Sequence, residues 1–427
     1  MHIKTMLKKS ILLFLFFVSG LLIHGQGENL KIKIAVMGPG DELYFWWGHI
    51  GLIIEDSARG TSDFYDYGLF DFTRDHFFYN FAFGRLLYSC GMSPTEWNIY
   101  DYTVNNRDIT IYTLDLLPEK RIEIRDFAEM NVLPAFRDYY YHHFKDNCST
   151  RIRDIIDLAT DGQFYSQYGS APGRFTLREH VRRHTWFSPS GDWFLSFIMG
   201  QDIDTPITVW EEMFLPSEVG NRIDGFWYTD SNNEKRKLVT SVEIINKPVN
   251  RPEVLDTPII QWKRELLFSI AAAAVIGVFF FLQFKKVNAG KILSGIGISL
   301  CGIFFGAAGI LIYFMGLFTN HDYSYHNMNM IFCTPLLIAL VPFGICYASA
   351  KETEKMIKYN ALVRLIWLIS LTGIFVSMLL KLFPGFYQQN LGGEMLMLPL
   401  ALVFVFQPAG LKDVFQRYLK PLKRSKA

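Results

Sequence analysis

Between residues 266 and 411 the chain carries five apolar stretches, at roughly 266–284, 292–317, 328–349, 362–381 and 395–411. The first three contain no Asp, Glu, Lys or Arg. An apolar helix of about 20 residues spans the ~30 Å hydrocarbon core of a bilayer, so this pattern predicts membrane crossings. Arg364 and Lys381 flank the fourth stretch and are placed to snorkel toward the interfaces. The fifth is short and contains Pro399.

Charge orients the stretches. The loop 285–291 carries Lys285, Lys286 and Lys291, the loop 350–360 carries Lys351, Lys355 and Lys358, and residues 412–427 form a basic tail. The loops 318–327 and 382–394 contain no Lys or Arg. Basic loops stay cytoplasmic, so the neutral loops and the polar segment before residue 263 belong outside. The first 25 residues give the same orientation independently. Lys4, Lys8 and Lys9 precede an apolar run from Ile11 to Ile23, with Gly25 as a small cleavage-site residue, as in an export signal or an uncleaved anchor. The expected organisation is therefore a signal peptide over 1–25, an exported domain over 26–262, a five-helix membrane domain over 263–411 and a cytoplasmic tail over 412–427. With 42 basic against 41 acidic residues, the chain lacks the cationic excess that nucleic-acid binding requires.

In the exported segment, residues 31–37, 49–55, 62–67 and 107–114 read as strands. Residues 119–144 are helical in part, broken by Pro134. The stretch from Phe64 to Tyr88 is dense in aromatic residues without clear periodicity, and 229–262 reads as a linker or edge strand. Trp193, Phe194 and Phe197 are candidates for lipid contact.

Two of the five cysteines, Cys90 and Cys148, fall in the exported segment, where a disulfide between them is one expectation. Cys148 stands in Asp146-Asn147-Cys148-Ser149-Thr150-Arg151, and Ile152, Ile155, Ile156 and Ala159 continue at helical spacing. Asn147 or Asp146 reads as the N-cap. Cys148 then falls in the first turn, where free amides and the helix dipole stabilise a thiolate and can hold an oxyanion. Arg151 adds positive charge one turn on. Packing is the alternative role for such a cysteine. The matching base would be His49, at the start of an alternating run after Gly48, although a lone strand histidine is often structural. Asp66, in Tyr65-Asp66-Tyr67-Gly68, is the candidate to orient the ring, with Asp56 and Asp63 behind it. In the outer loop, His321, His326, Asn327 and Asn329 are a candidate headgroup-binding or assisting group. An ordinary interfacial loop is the alternative. No spaced ligand set or phosphate loop calls for a metal or a cofactor.

A Gly-His-Ile-Gly strand followed much later by Asn-Cys at a helix start resembles the circularly permuted NlpC/P60 group, which includes lecithin:retinol acyltransferase-like enzymes. The order Trp47-Gly48-His49, Tyr65-Asp66-Tyr67-Gly68, Phe83-Gly84 and Asp146 to Arg151, with the helices behind it, resembles the Bacteroides-type lipoprotein N-acyltransferases. The resemblance implies an α+β chain: a permuted papain-like exported domain, its core at about 31–165, followed by a five-helix bundle. It also implies an inner-membrane enzyme without cofactor that moves an acyl chain from a phospholipid, through a Cys148 thioester, to the α-amino group of a diacylated lipoprotein N-terminus. His49 would be the base, Asp66 the third residue, and Asn147, Ser149 and Arg151 would assist at the oxyanion. No obvious second histidine follows His49, which leaves the third position open. A membrane-tethered cysteine peptidase or amidase acting on peptidoglycan, and a non-enzymatic assembly module, are the competing readings.

Overall fold

The computed structural model describes residues 27–407; the expected signal peptide and basic tail lie outside the described residues. The chain forms two compact units. Among the described residues, one comprises 27–177 together with Pro206–Val254, and the other Arg178–Thr205 together with 255–407.

The first unit is built on an antiparallel sheet. Strands β1 (Leu30–Met37), β2 (His49–Asp56), β3 (Thr61–Leu69), β4 (Leu87–Pro94), β5 (Ile109–Leu114), β6 (Asp138–Tyr140) and β9 (Val239–Asn246) run in the order β6-β4-β3-β2-β1-β5-β9. A separate hairpin pairs β7 (Trp227–Thr229) with β8 (Lys235–Lys237). The four expected strands are all present, and the stretch read as linker or edge strand supplies β9 at the sheet edge. The near-continuous apolar run of β2 is explained by burial on both faces. Ile50, Leu52 and Ile54 pack into a core with helix α2 (Cys148–Ala159), while Ile53 joins Phe64, Tyr102 and Ile111 on the other side. Helix α1 (Pro118–Asn131) starts on a proline, whose missing N–H costs nothing at that position. The chain leaves α1 three residues before Pro134 and enters β6.

Helix α2 forms as its spacing requires. Ile152, Ile155, Ile156 and Ala159 are buried on one face, each isoleucine contributing about 1.5–3 kcal/mol.

The second unit contains helices α3 (Leu177–Thr185, from Arg178 on), α4 (Pro189–Ile198), α5 (Lys263–Phe284), α6 (Asn288–Phe318), α7 (Leu340–Ser349), α8 (Thr353–Leu380) and α9 (Leu391–Phe406). By length and composition, α5, α6 and α8 can cross a membrane; Pro335–Ser349 and Leu391–Phe406 are shorter apolar helical segments. The stretch 328–349 is not one α-helix. It breaks into 3-10 turns at Met328–Ile331 and Pro335–Ala339 before α7 begins. The Asn327 side chain accepts from the Asn329 amide and Pro335 opens the second turn, so local capping competes with a continuous helix here.

Two other expectations need correction. Arg364 lies inside α8 and does not snorkel: its Nε and Nη2 donate to the Val405 carbonyl at 3.0 and 2.7 Å, satisfying the end of α9. Lys381 pairs with the fully buried Glu394 at 2.9 Å, and Ser377 donates to the same carboxylate.

Candidate active site

His49 opens β2 and is buried. Gly48 before it has φ +81°, and a Cβ there would meet the Met37 carbonyl oxygen at 2.6 Å. The turn into the strand therefore demands glycine. Asp66 lies on β3 at a register shift between Asp66 and Leu69. Its Oδ1 accepts from the Gly68 amide at 2.6 Å and lies 2.8 Å from His49 Nε2. A proton on Nε2 satisfies that contact and leaves Nδ1 as the basic nitrogen. Gly68 has a steric reason as well: a Cβ there would fall 2.5 Å from His49 Cε1. The Tyr-Asp-Tyr-Gly sequence thus places a carboxylate at one nitrogen of the imidazole and a bare backbone beneath its ring.

Burial pushes the His49 pKa down, but the Asp66 carboxylate, with Tyr102 and Cys148, outweighs it and holds the pKa well above 6.5. Burial likewise raises Asp66, and the His49 charge and hydrogen bond, the Gly68 amide and Arg107 bring it below its ordinary value. The Asp66 carboxylate strengthens His49 as a proton acceptor, and Cys148 is close enough to influence the ring electrostatically.

Cys148 is the first residue of α2 and is buried. Asn147 caps the helix: its side chain accepts from the Thr150 amide at 2.9 Å, and the Asn147 amide donates to Thr150 Oγ1 at 2.8 Å. Its Nδ2 donates to the His143 and Phe214 carbonyls at 2.7 and 3.0 Å. The Asn147 side chain is therefore committed to holding the turn. The backbone amides of Cys148 and Ser149 come before the first intrahelical hydrogen bonds, at the positive end of the dipole. Ser149 is fully buried and its Oγ has no protein partner. Arg151 makes a two-pronged pair with Asp146, at 2.6 and 2.8 Å, and stacks 4.1 Å over the Tyr139 ring. Its charge is thus largely answered by Asp146.

Cys90 is a second free thiol, in the sheet core, where burial pushes it up to about 12. Cys148 is free as well, so the two form no disulfide.

Arg107 and Tyr102 were not foreseen. Arg107 is 2% exposed, its guanidinium lies 4.4 and 4.6 Å from the Phe45 and Tyr102 ring centroids, and its Nε donates to the Gly38 carbonyl at 2.9 Å. Tyr102 packs against the His49 ring, centroids 6.3 Å apart. These partners lie far apart in sequence, so no local pattern announces them. In the connection from β3 to β4, which includes a helical turn at Phe77–Ala82, Phe70, Phe72 and Phe77 form a ring cluster, with Phe72 and Phe78 exposed.

The outer-loop candidates lie in the second unit and make internal contacts there. Asn327 and Asn329 donate to the Phe197 carbonyl at 2.9 and 2.8 Å. His321 Nδ1 lies 2.8 Å from the Tyr323 hydroxyl, and His326 Nδ1 lies 2.9 Å from Asp202. The two asparagines brace the end of α4 against the bundle. Among the described residues no group of three His, Cys, Asp or Glu side chains is arranged to hold a metal ion.

Fold and site define a membrane protein whose mixed α/β domain carries a histidine–carboxylate pair and a helix-start cysteine. Residues 25–183 match the Lnb N-terminal periplasmic domain and residues 265–407 match the Lnb transmembrane domain. The chain belongs to this Lnb-type family of Bacteroides lipoprotein N-acyltransferases, membrane proteins that modify lipoproteins and carry a periplasmic part. No curated protein and no solved structure matches it.

Proposed function

We propose that this chain is a multi-pass inner-membrane acyltransferase that uses Cys148 to move a fatty acyl group from a phospholipid to a lipoprotein N-terminus. The observation that carries the reading is the buried His49–Asp66 pair, 2.8 Å apart, whose imidazole is influenced by a thiol at a helix start. That grouping is suited to thiolate chemistry. The histidine strand precedes the cysteine helix in sequence, which fits a permuted papain-like domain. We also assign the two shorter apolar segments, with α5, α6 and α8, to a five-helix bundle.

In the first half-reaction His49 Nδ1 takes the Cys148 proton, and the thiolate attacks an ester carbonyl of the phospholipid. The Cys148 and Ser149 amides stabilise the tetrahedral oxyanion. Collapse breaks the ester C–O bond; the lysophospholipid oxygen leaves with the proton from His49, and a thioester remains on Cys148. In the second half-reaction the α-amino group of a diacylglyceryl-cysteine attacks that thioester. His49 accepts its proton, the C–S bond breaks, and an N-acyl amide forms as the thiol is restored. Asp66 holds the ring and balances its charge. Arg151 and Asn147 position the helix start, and the exposed aromatics of the β3–β4 connection suit an acylated substrate.

The test is mass spectrometry of a lipoprotein N-terminal peptide from cells carrying the wild type or Cys148→Ser as the only N-acylating enzyme. The variant should leave a diacylated peptide with a free amine. Unchanged triacylated peptide would overturn the proposal, and release of muropeptides by the wild type would support peptidoglycan cleavage instead.

A further inference from the structure

The second unit contains a small recess whose lining includes Arg182, Asp192, Trp193, Ser196, Gln389 and Asn390. Arg182, on α3, is 5% exposed. Its Nη2 donates to the Gln389 carbonyl at 2.8 Å, while Nε and Nη1 have no protein partner. Trp193 Nε1 and Ser196 Oγ, one helical turn apart on α4, are also buried and unpartnered. A buried guanidinium with spare N–H groups is costly unless an acceptor answers it, and the cost is greatest for a charged group. Arginine presents its donors in a planar fork that suits the oxygens of a phosphate.

The same recess also offers acceptors. Gln389 Oε1 and Asn390 Oδ1 are buried without a donor, and the Asp192 carboxylate accepts from Thr185 Oγ1 at 2.9 Å. A bare anion leaves these oxygens unanswered. A group joining a phosphate to an ammonium answers both sets.

Lipid is favoured over a free solute by what adjoins the recess. Trp193 stacks on Phe197 and on Phe304, centroids 5.0 and 5.9 Å apart, and Phe304 is half exposed on the membrane-crossing helix α6. Gln261, just before α5, and Asn390, just before α9, also line it. The basic loops place these helix ends on the outer side.

We infer that this recess holds the headgroup of a zwitterionic glycerophospholipid, its phosphodiester against Arg182, Trp193 and Ser196 and its amino group against Asp192 and the Gln389 and Asn390 amide oxygens. The use of that lipid as acyl donor rests on the acyl-transfer proposal; the binding does not.

The test titrates the purified full-length protein in detergent, by native mass spectrometry, with phosphatidylethanolamine, with diacylglycerol of the same acyl chains and with inorganic phosphate. Phosphatidylethanolamine should bind at least about tenfold tighter than diacylglycerol, the loss expected for one charge-assisted hydrogen bond. Arg182→Gln should remove that preference, and Trp193→Phe, which keeps a ring and deletes one donor, should weaken it at least about threefold. If Arg182→Gln does not fold, Trp193→Phe decides. Equal binding of the two lipids, or an unchanged preference in the folded variants, overturns the inference. Saturation by inorganic phosphate that the lipid cannot displace also overturns it, in favour of a free-anion site. Cys148→Ser should bind phosphatidylethanolamine like the wild type. If that variant still yields triacylated lipoprotein while Arg182 governs lipid binding, the thiol mechanism falls and the recess stands.

Discussion

Replacing Asp66 with Asn changes one oxygen for an NH2 group and removes the charge that sustains His49. The lost contact is a 2.8 Å charge-assisted hydrogen bond between two buried groups, and the carboxylate also accepts from the Gly68 amide at 2.6 Å. A hydrogen bond to a charged group contributes about 1.5–3 kcal/mol. Each 1.4 kcal/mol is a factor of ten, so the acyl-transfer rate should fall roughly 10- to 150-fold. The sign of the pH effect follows from the raised His49 pKa. Because the folded value exceeds the unfolded one, His49 adds stability that is fully present below its unfolded pKa of about 6.5 and is lost as pH rises through the folded value. Asp66→Asn should flatten this component, seen in the wild-type minus variant difference in denaturation midpoint from pH 6 to 9.

Alkylation gives a residue-specific readout. Iodoacetamide should alkylate wild-type Cys148, and Asp66→Asn, which removes the carboxylate behind His49, should slow that alkylation at a fixed neutral pH. Cys90, pushed up to about 12, serves as the silent internal control. Rates within twofold of the wild type in Asp66→Asn, for acyl transfer and for alkylation alike, would refute the role given to Asp66.

Gly68→Ala should place a Cβ 2.5 Å from His49 Cε1; N-acylation measured by mass spectrometry should drop at least tenfold, while circular dichroism stays native. Asn147→Ala removes the cap of α2 and leaves the carbonyls it served without that donor, so the denaturation midpoint should fall by the equivalent of about 1–2 kcal/mol. Asp204→Ala strands the Arg178 charge, since the two side chains pair at 2.8 Å with 0% and 1% exposure. The expected loss is about 3–5 kcal/mol, visible as a lower melting temperature of the detergent-solubilised protein, with Asp204→Asn recovering part of it.

Much of the architecture was legible in the chain. Length and apolarity marked α5, α6 and α8, because a membrane helix must be apolar along its whole length. Short strand-like runs marked β1, β2, β3 and β5, and the spacing of Ile152, Ile155, Ile156 and Ala159 put Cys148 at a helix start. These signals are local, since a period of two or 3.6 residues is carried by consecutive positions. Asp66 was also singled out as the partner of His49, and Gly48 and Gly68 sit where a Cβ would collide.

Only the tertiary structure decided the rest. It tied Arg151 to Asp146, set Arg107 between Phe45 and Tyr102, and turned Asn327 and Asn329 into braces for α4. It also broke residues 328–349 into short turns and left Arg182 buried with spare donors. Each of these is a choice among partners distant in sequence or among competing caps. It is made by where the packed elements bring the side chains, which no local period encodes.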